Sequence, residues 1–346
     1  MQPSEKPGPD RAILDALRGR AGGRAVIGFD EFMEVALYEP GAGYYRRNRR
    51  RIGYGPGSDF LTASASAPLF GRLVLEACVR LLAPEAPGRY EFVEIGAEPG
   101  GGILRGLPHP FRGARAIGVG EPVRILGPAV VFSNELFDAQ PFRRLRFREG
   151  AWREWGVRVS GGALSLEELP DAPPLPAGLP ERAAEGYVID APLASVSLLR
   201  DLTGPSWQGL FLALDYGKSW EELSLAAPEG TARAYRGHVQ SNDLLAHPGD
   251  QDLTCHLCWD WLSDALLCAG FAEPRLESQE AFFVHHAGEF MAALSAAEAG
   301  RLSRDKLSLF QLIHPAHMGQ KFQALWALRL PRAHPPIPVR IPLPTD

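Results

Sequence analysis

Four short apolar runs, each ending in polar or glycine residues, constrain this chain more than any other feature. They are Tyr90-Glu91-Phe92-Val93-Glu94-Ile95-Gly96, residues 114–119, Ala129-Val130-Val131-Phe132-Ser133-Asn134, and Gly209-Leu210-Phe211-Leu212-Ala213-Leu214-Asp215-Tyr216. Strands buried on both faces read as near-continuous apolar runs, and such strands occur in parallel sheets with helices on either side. Their polar ends then collect along one edge, at the carboxyl termini, where α/β proteins bind ligands. The pattern predicts an α/β fold in which the strands ending at Gly96, Val119, Asn134 and Tyr216 are neighbours sharing that edge.

The flanking texture differs. Residues 1–10 read as a loose tail. Helical periodicity begins at Ala12-Ile13-Leu14, and a second helix is expected over 29–37, with Asp30 as N-cap and Pro40 marking the exit. Residues 41–59 form a glycine-rich basic loop too long for a simple connector. Residues 68–82 read as an amphipathic helix. Between the third and fourth apolar runs, 142–166 alternates in the strand manner and Gly161-Gly162 is a hairpin signal, so 142–180 reads as an antiparallel insertion. Residues 282–286 and 322–330 are expected as late strands completing a mixed sheet. The expected organisation is an N-terminal region over 1–88, a main domain over 89–330 and a proline-rich tail over 331–346.

Composition excludes some classes. A chain of 346 residues with 45% hydrophobic content supports a sizeable core. A formal net charge of −5 argues against a dedicated nucleic-acid binder. The basic run from Arg46 to Arg51 reads as a solvated loop rather than a patch for an acidic partner. Neither a signal-peptide pattern nor a run of about twenty apolar residues is present, so a soluble, cytoplasmic protein off the membrane is expected. Four cysteines do not make a disulfide framework. Cys255, His256 and Cys258 lack a second pair to complete a zinc site and read as small hydrophobes beside a histidine.

Six segments carry candidate chemistry. In Glu94-Ile95-Gly96-Ala97-Glu98-Pro99-Gly100-Gly101-Gly102, a strand enters a glycine loop where a ligand can approach bare backbone. Glu121 ends the next strand, where a carboxylate can hold two ribose hydroxyls. The run from Ser133 to Pro141 places an amide and two carboxylates just past a buried strand, which is costly unless they face a cleft or are paired. Asp215-Tyr216-Gly217, Gly230 to His238 and Asp250 to His256 supply further polar loops over the sheet edge.

Taken in order, these segments resemble the MidA-like family, which includes the mitochondrial methyltransferase needed to assemble respiratory complex I. The likeness runs through Ala36-Leu37-Tyr38-Glu39-Pro40-Gly41, Gly43-Tyr44-Tyr45, Gly57-Ser58-Asp59-Phe60-Leu61-Thr62, Glu94-Ile95-Gly96-Ala97, Ser133-Asn134-Glu135-Leu136-Phe137-Asp138-Ala139, Arg233-Ala234-Tyr235-Arg236-Gly237-His238 and Asp252-Leu253-Thr254. It implies a Rossmann-like, seven-stranded sheet with an N-terminal helical extension and the antiparallel β insertion. It also implies S-adenosyl-L-methionine as cofactor and a protein arginine as substrate. Gly96, Ala97, Gly100, Glu121, Asp59 and Thr62 would then contact the cofactor. Glu135, Asn134 and Asp138 would carry catalysis, with Glu135 holding a guanidinium in a two-pronged pair. Asp215, Tyr235, Arg236 and His238 would shape the substrate mouth.

Two departures stand out. Glu98 replaces the second glycine of the family's first loop, and its charge should repel the cofactor's own carboxylate. Only eleven residues separate Glu121 from Ser133, where the family has a helix and another strand. The helix is expected to be missing, with 123–126 as a remnant strand. The helix after the glycine loop is expected to be short, cut by Pro108 and Pro110. Weak or absent cofactor binding follows, and with it an alternative: a degenerate methyltransferase-like binding or assembly factor. Methylation of a small molecule is a third reading, without a compact apolar pocket to mark it.

Overall fold

The computed structural model describes residues 10–47, 51, 59, 63, 68–300 and 303–330. At its centre is a six-stranded sheet, ordered Arg275–Ser278, Gln323–Arg329, Gln208–Asp215, Pro128–Asn134, Glu91–Ile95, Gly113–Ile117. The last four strands are mutually parallel, and Gln323–Arg329 runs antiparallel to both its neighbours. The four apolar runs are thus adjacent, with their carboxyl ends on one edge.

Period-two alternation sends the side chains of these strands into two cores. Phe92, Val130, Phe132, Leu210 and Leu212 join helices Leu69–Leu82, Gln279–Ala297 and Arg304–Ile313 on one face. Val93, Val131, Phe211 and Ala213 join helices Leu193–Thr203 and Trp259–Cys268 on the other. Both faces are covered, which is why the runs are apolar without a polar stripe.

Several sequence expectations are corrected. Among the described residues the main sheet has six strands, where seven were expected. The late strand expected at 282–286 lies inside helix Gln279–Ala297, and the preceding Arg275–Ser278 takes its place in the sheet. The apolar run Phe282-Phe283 is buried, and short apolar runs do not separate strand from helix. No helix follows the glycine loop among the described residues, only turns over 96–112. Gly100-Gly101-Gly102, Pro108 and Pro110 break it. Residues 123–126 form no strand. Ten residues, 118–127, return the chain to the start of Pro128–Asn134, a reach of up to roughly 33 Å when extended. Ile125 pins this run to the core, while Leu126 is exposed. The second helix spans Phe29–Tyr38 with Gly28, not Asp30, at the N-cap, because the Glu31 carboxylate accepts the Gly28 N–H at 3.0 Å.

The insertion forms a second, antiparallel sheet. Arg143–Arg148 lies between Ala151–Ser160 and Val188–Ala191, and Val26–Gly28 and Ala163–Glu168 both pair with Ala151–Ser160. A third, small sheet joins Val239–Ser241, Arg233–Arg236 and Asp252–Thr254. Among the described residues, no helix is long and apolar enough to cross a membrane.

Phe132 is fully buried, with its ring centroid 5.7 Å from that of Phe92 and 6.3 Å from that of Phe70. Phe132→Ala is expected to lower the unfolding free energy by about 3–5 kcal/mol. Urea denaturation should show this as a lower midpoint at unchanged slope, and a loss below ~1 kcal/mol would show that the sheet does not depend on this packing.

Candidate functional site

The carboxyl edge of the sheet opens into a cavity of about 1040 Å³. One end is built from the loop after Glu91–Ile95 and the ends of Gly113–Ile117. Gly96 and Ala97 both donate their N–H to Ile117 O, at 2.9 and 3.1 Å. Gly96 needs its glycine identity, since its φ is +81° and an added Cβ would lie 2.8 Å from Leu136. The Glu94 carboxylate, raised by burial, turns back to accept the Ile103 N–H at 2.7 Å. Glu121 accepts the Gly118 N–H at 2.9 Å and lines the wall.

Glu98 is not a bare negative charge beside this wall. Arg51 is 2% exposed, and its Nη2 donates to Glu98 Oε2 at 2.8 Å. Arg51 Nη1 also donates to the carbonyls of Tyr44 (3.2 Å) and Arg47 (3.1 Å), and its guanidinium sits 5.4 Å from the Tyr45 ring centroid. The reading of the Arg46–Arg51 run as a solvated loop is corrected at its end: Arg51 is buried, and Arg46, Arg47 and Arg51 all line the cavity. Arg49 and Arg50 lie outside the described residues.

The other end is acidic and aromatic. Glu135 follows Asn134 directly at the end of its strand, in a left-handed conformation with φ of +49°. That conformation costs of order 1–2 kcal/mol for a residue with a Cβ. The Glu135 N–H donates to Leu214 O at 2.9 Å, and Asn134 Nδ2 donates to Glu135 Oε1 at 3.1 Å. Removal from water, then the nearby Asp138 carboxylate, push Glu135 up to about 8. Asp138 is itself raised by burial against a hydrogen bond from Tyr216. Asp252 accepts the Tyr45 hydroxyl at 2.9 Å, and burial followed by Asp138 raises it to about 7. Tyr38, Tyr45, Tyr216, Tyr235 and Phe322 complete the walls. Asn134 Oδ1 and Asp138 Oδ1 are buried there without a hydrogen-bond partner.

The structure therefore brings Gly96, Ala97, Glu121, Asn134, Glu135, Asp138 and Tyr235 to one cavity. Gly100 belongs to the same loop but is not on the cavity wall. Other expected positions are corrected. Asp215 is fully buried behind the wall, where its Oδ2 accepts the N–H of Phe137 at 3.0 Å and of Asp138 at 3.4 Å. Asp59 accepts the Tyr44 hydroxyl at 2.8 Å and the Gly237 N–H at 2.9 Å, away from the cavity wall. Arg236 follows the inward-facing Tyr235 on a strand, so alternation turns it outward, where it pairs with Asp250 at 2.8 Å. His238 is exposed in the turn beyond. Thr62 lies outside the described residues. Asp252, Tyr45, Tyr38 and Arg51 stand in the sequence only within longer segments, without a role of their own. The apolar Leu253 between Asp252 and Thr254 was the available signal, since alternation puts both polar residues on the opposite face.

A parallel sheet with a glycine loop, a carboxylate in the turn after the second strand and an acidic cluster past the next is the arrangement expected of an S-adenosyl-L-methionine-dependent methyltransferase, and the comparisons with known proteins support that class. Residues 120–273 match a family model bearing that description. The chain is 24% identical over 398 residues to "Protein arginine methyltransferase NDUFAF7, mitochondrial" of Danio rerio, covering 93% of this chain and 88% of that protein. It is similar to the crystal structure of a "COG1565 superfamily member and likely methyl transferase" from Burkholderia thailandensis bound to S-adenosyl-homocysteine, at 25% identity, TM-score 0.79 and 92% coverage of each chain. A native structure of an uncharacterized superfamily protein from Burkholderia thailandensis gives TM-score 0.75 at 24% identity, covering 92% of this chain and 91% of that one. These likenesses agree with the resemblance to the MidA-like family.

The residues present fit the cofactor. The Gly96 conformation leaves backbone exposed at the wall, the Glu121 carboxylate lining it would be able to accept ribose hydroxyls, and Arg51 pairs with Glu98. The repulsion expected from Glu98 is thereby offset. Arg51→Met leaves Glu98 unpaired and is expected to weaken S-adenosyl-L-methionine binding about tenfold, or ~1.4 kcal/mol. Glu98→Gly, which frees Arg51 for the cofactor's carboxylate, should not weaken it. Calorimetric titration checks both, and unchanged affinity in Arg51→Met would remove this role for the pair.

Proposed function

We propose that this chain transfers a methyl group from S-adenosyl-L-methionine to an arginine side chain of a protein partner. The observation that carries this reading is the cluster of Glu135, Asp138 and Asp252 in the aromatic half of the cofactor cavity. Three buried or half-buried carboxylates raise one another's proton affinity, and a cation of matching shape relieves that. A guanidinium supplies the charge, stays protonated below about pH 12 and presents a planar fork that two carboxylates can share. The phenol rings of Tyr38, Tyr45, Tyr216 and Tyr235 give its flat faces something to lie against.

The cofactor, when bound, supplies an electrophilic methyl group. Glu135 accepts two N–H groups of the incoming guanidinium and aims one terminal nitrogen at the cofactor end. Tyr216 holds Asp138, and Tyr45 holds Asp252 through its hydroxyl. The proton displaced from the attacking nitrogen passes to a carboxylate. An acceptor near 7 or 8 suits that task better than one near 4, because general-base efficiency peaks when the base's affinity for protons lies near the working pH. The binding-only alternative rested on Glu98 and on the missing crossover helix; the pairing with Arg51 offsets the first, while the short crossing over 118–127 stands.

Glu135→Gln keeps shape and removes charge. It should slow transfer of labelled methyl groups to an arginine-containing protein substrate by about 100-fold or more, with cofactor affinity nearly unchanged. Full activity in this variant would take Glu135 out of the mechanism.

The pH profile gives an independent check. Below about 8, Glu135 in the empty cavity is protonated and neutral, so it offers no partner to the guanidinium. Hence kcat/KM should rise with pH through about 8 and then level. The limb in kcat should lie at lower pH, because a bound guanidinium favours the ionised carboxylate. A kcat/KM that is flat between pH 6 and 9 would contradict this.

A further inference from the structure

Outside the cavity lining, on the outer strand Arg275–Ser278 and the helix that follows it, Glu277, His285 and His286 converge. Glu277 Oε2 lies 2.6 Å from His285 Nδ1, and Glu277 Oε1 lies 2.9 Å from His286 Nε2. One nitrogen from each ring and a carboxylate oxygen all fall within 4.8 Å of one another. Two histidines adjacent on a helix normally point about 100° apart. Here both rings turn to one carboxylate, and the backbone leaves helical angles at Ala287, immediately after the pair (φ −129°, ψ 16°).

We propose that these three side chains form a binding site for a divalent transition-metal ion, zinc above all. Two imidazoles and one carboxylate are a donor set that zinc accepts, with solvent completing a tetrahedron. The arrangement is supported from behind as metal sites are. Trp326 Nε1 donates to Glu277 Oε1 at 2.8 Å, which fixes the carboxylate. The His286 ring is held between Phe282 and Trp326, with centroids 5.0 and 5.4 Å away. His285 is the open side, with 60% of its side chain exposed, so an ion can enter there and keep water as its remaining ligand. One carboxylate and two neutral imidazoles carry one negative charge, complementary to a dication. The bound ion ties the outer strand of the sheet to the helix behind it, which makes it a structural clamp outside the cavity lining.

The test uses the full chain without an affinity tag, stripped with chelator and titrated calorimetrically with zinc chloride alone. About one equivalent should bind and raise the melting temperature, with chelator reversing the rise. Cobalt(II) in place of zinc should give visible absorption bands of a low-coordinate site. His285→Ala alters an exposed side chain and leaves the fold intact, and it should weaken zinc binding at least about tenfold. Trp326→Phe should weaken it less while retaining the stoichiometry. Zinc affinity unchanged in His285→Ala, or no binding by the unaltered chain, overturns the proposal. The first result would place any bound zinc elsewhere, for example at His314 and His317, whose ring centroids are 5.4 Å apart.

Discussion

The catalytic edge depends on one buried carboxylate that never touches the cavity. Asp215, at the end of its strand, is fully buried and accepts the N–H groups of Phe137, Asp138 and Tyr216. Those amides belong to a turn that leaves the sheet and would otherwise be unpaired in the interior, at about 1–3 kcal/mol each. By gathering them, Asp215 fixes where the neighbouring strand ends and how the chain from Glu135 to Asp138 leaves it. The left-handed backbone of Glu135 persists because its own N–H is also held, by Leu214 O. Glu135 and Asp138 therefore take their positions from the adjacent strand. Burial first, and then Asp138, raise Asp215 well above its ordinary value, so the acidic chamber has a further acid directly behind it.

Much of this was legible in the sequence because it follows from period and polarity. Four buried strands announce themselves as apolar runs, and each run's polar terminus announces the edge. Glu135 and Asp138 were found because a carboxylate just past such a run has few other reasons to be there. What the sequence hid was pairing across distance. Glu98 reads as a defect until Arg51 is seen to reach it from a segment 47 residues away. Asp215 and Asp252 are both acids at strand ends, and only the third dimension tells that the first faces inward to amides and the second faces the cavity. The misplaced strand at 282–286 has a different cause: Phe282 and Phe283 are buried on a helix, and two adjacent aromatics carry no period to read.

The short crossing over 118–127 changes what the N-terminal region is for. In a sheet with another strand beyond Gly113–Ile117, that strand and its helix would wall the cofactor's nucleoside end. Here the wall comes from earlier in the chain. Arg46 reaches past the strand end to donate to Val119 O at 2.9 Å, and Tyr38, Tyr45 and Arg47 line the same cavity. The helix Phe29–Tyr38 is anchored to the insertion sheet through Phe29 and Phe142, whose centroids are 5.0 Å apart. The insertion sheet also borrows Val26–Gly28 as a strand. The N-terminal helices, the insertion and the cavity thus form one packed unit, and the extension replaces the missing wall.

This substitution also links the two halves of the cavity more directly than a simple nucleotide-binding sheet would. Tyr45 contributes to both ends. Its ring lies under the Arg51 guanidinium that neutralises Glu98, while its hydroxyl donates to Asp252 in the acidic chamber. Tyr38 stacks on Tyr45 with centroids 5.6 Å apart and donates its own hydroxyl to Ala139 O, at the end of the Asn134–Ala139 segment. A change in the Arg51–Glu98 pair would therefore shift a ring whose hydroxyl positions a catalytic-end carboxylate. The departure at Glu98 is then best understood together with Arg51 and Tyr45. The charge of Glu98 is carried by a residue pair that, through Tyr45, also braces the acidic chamber.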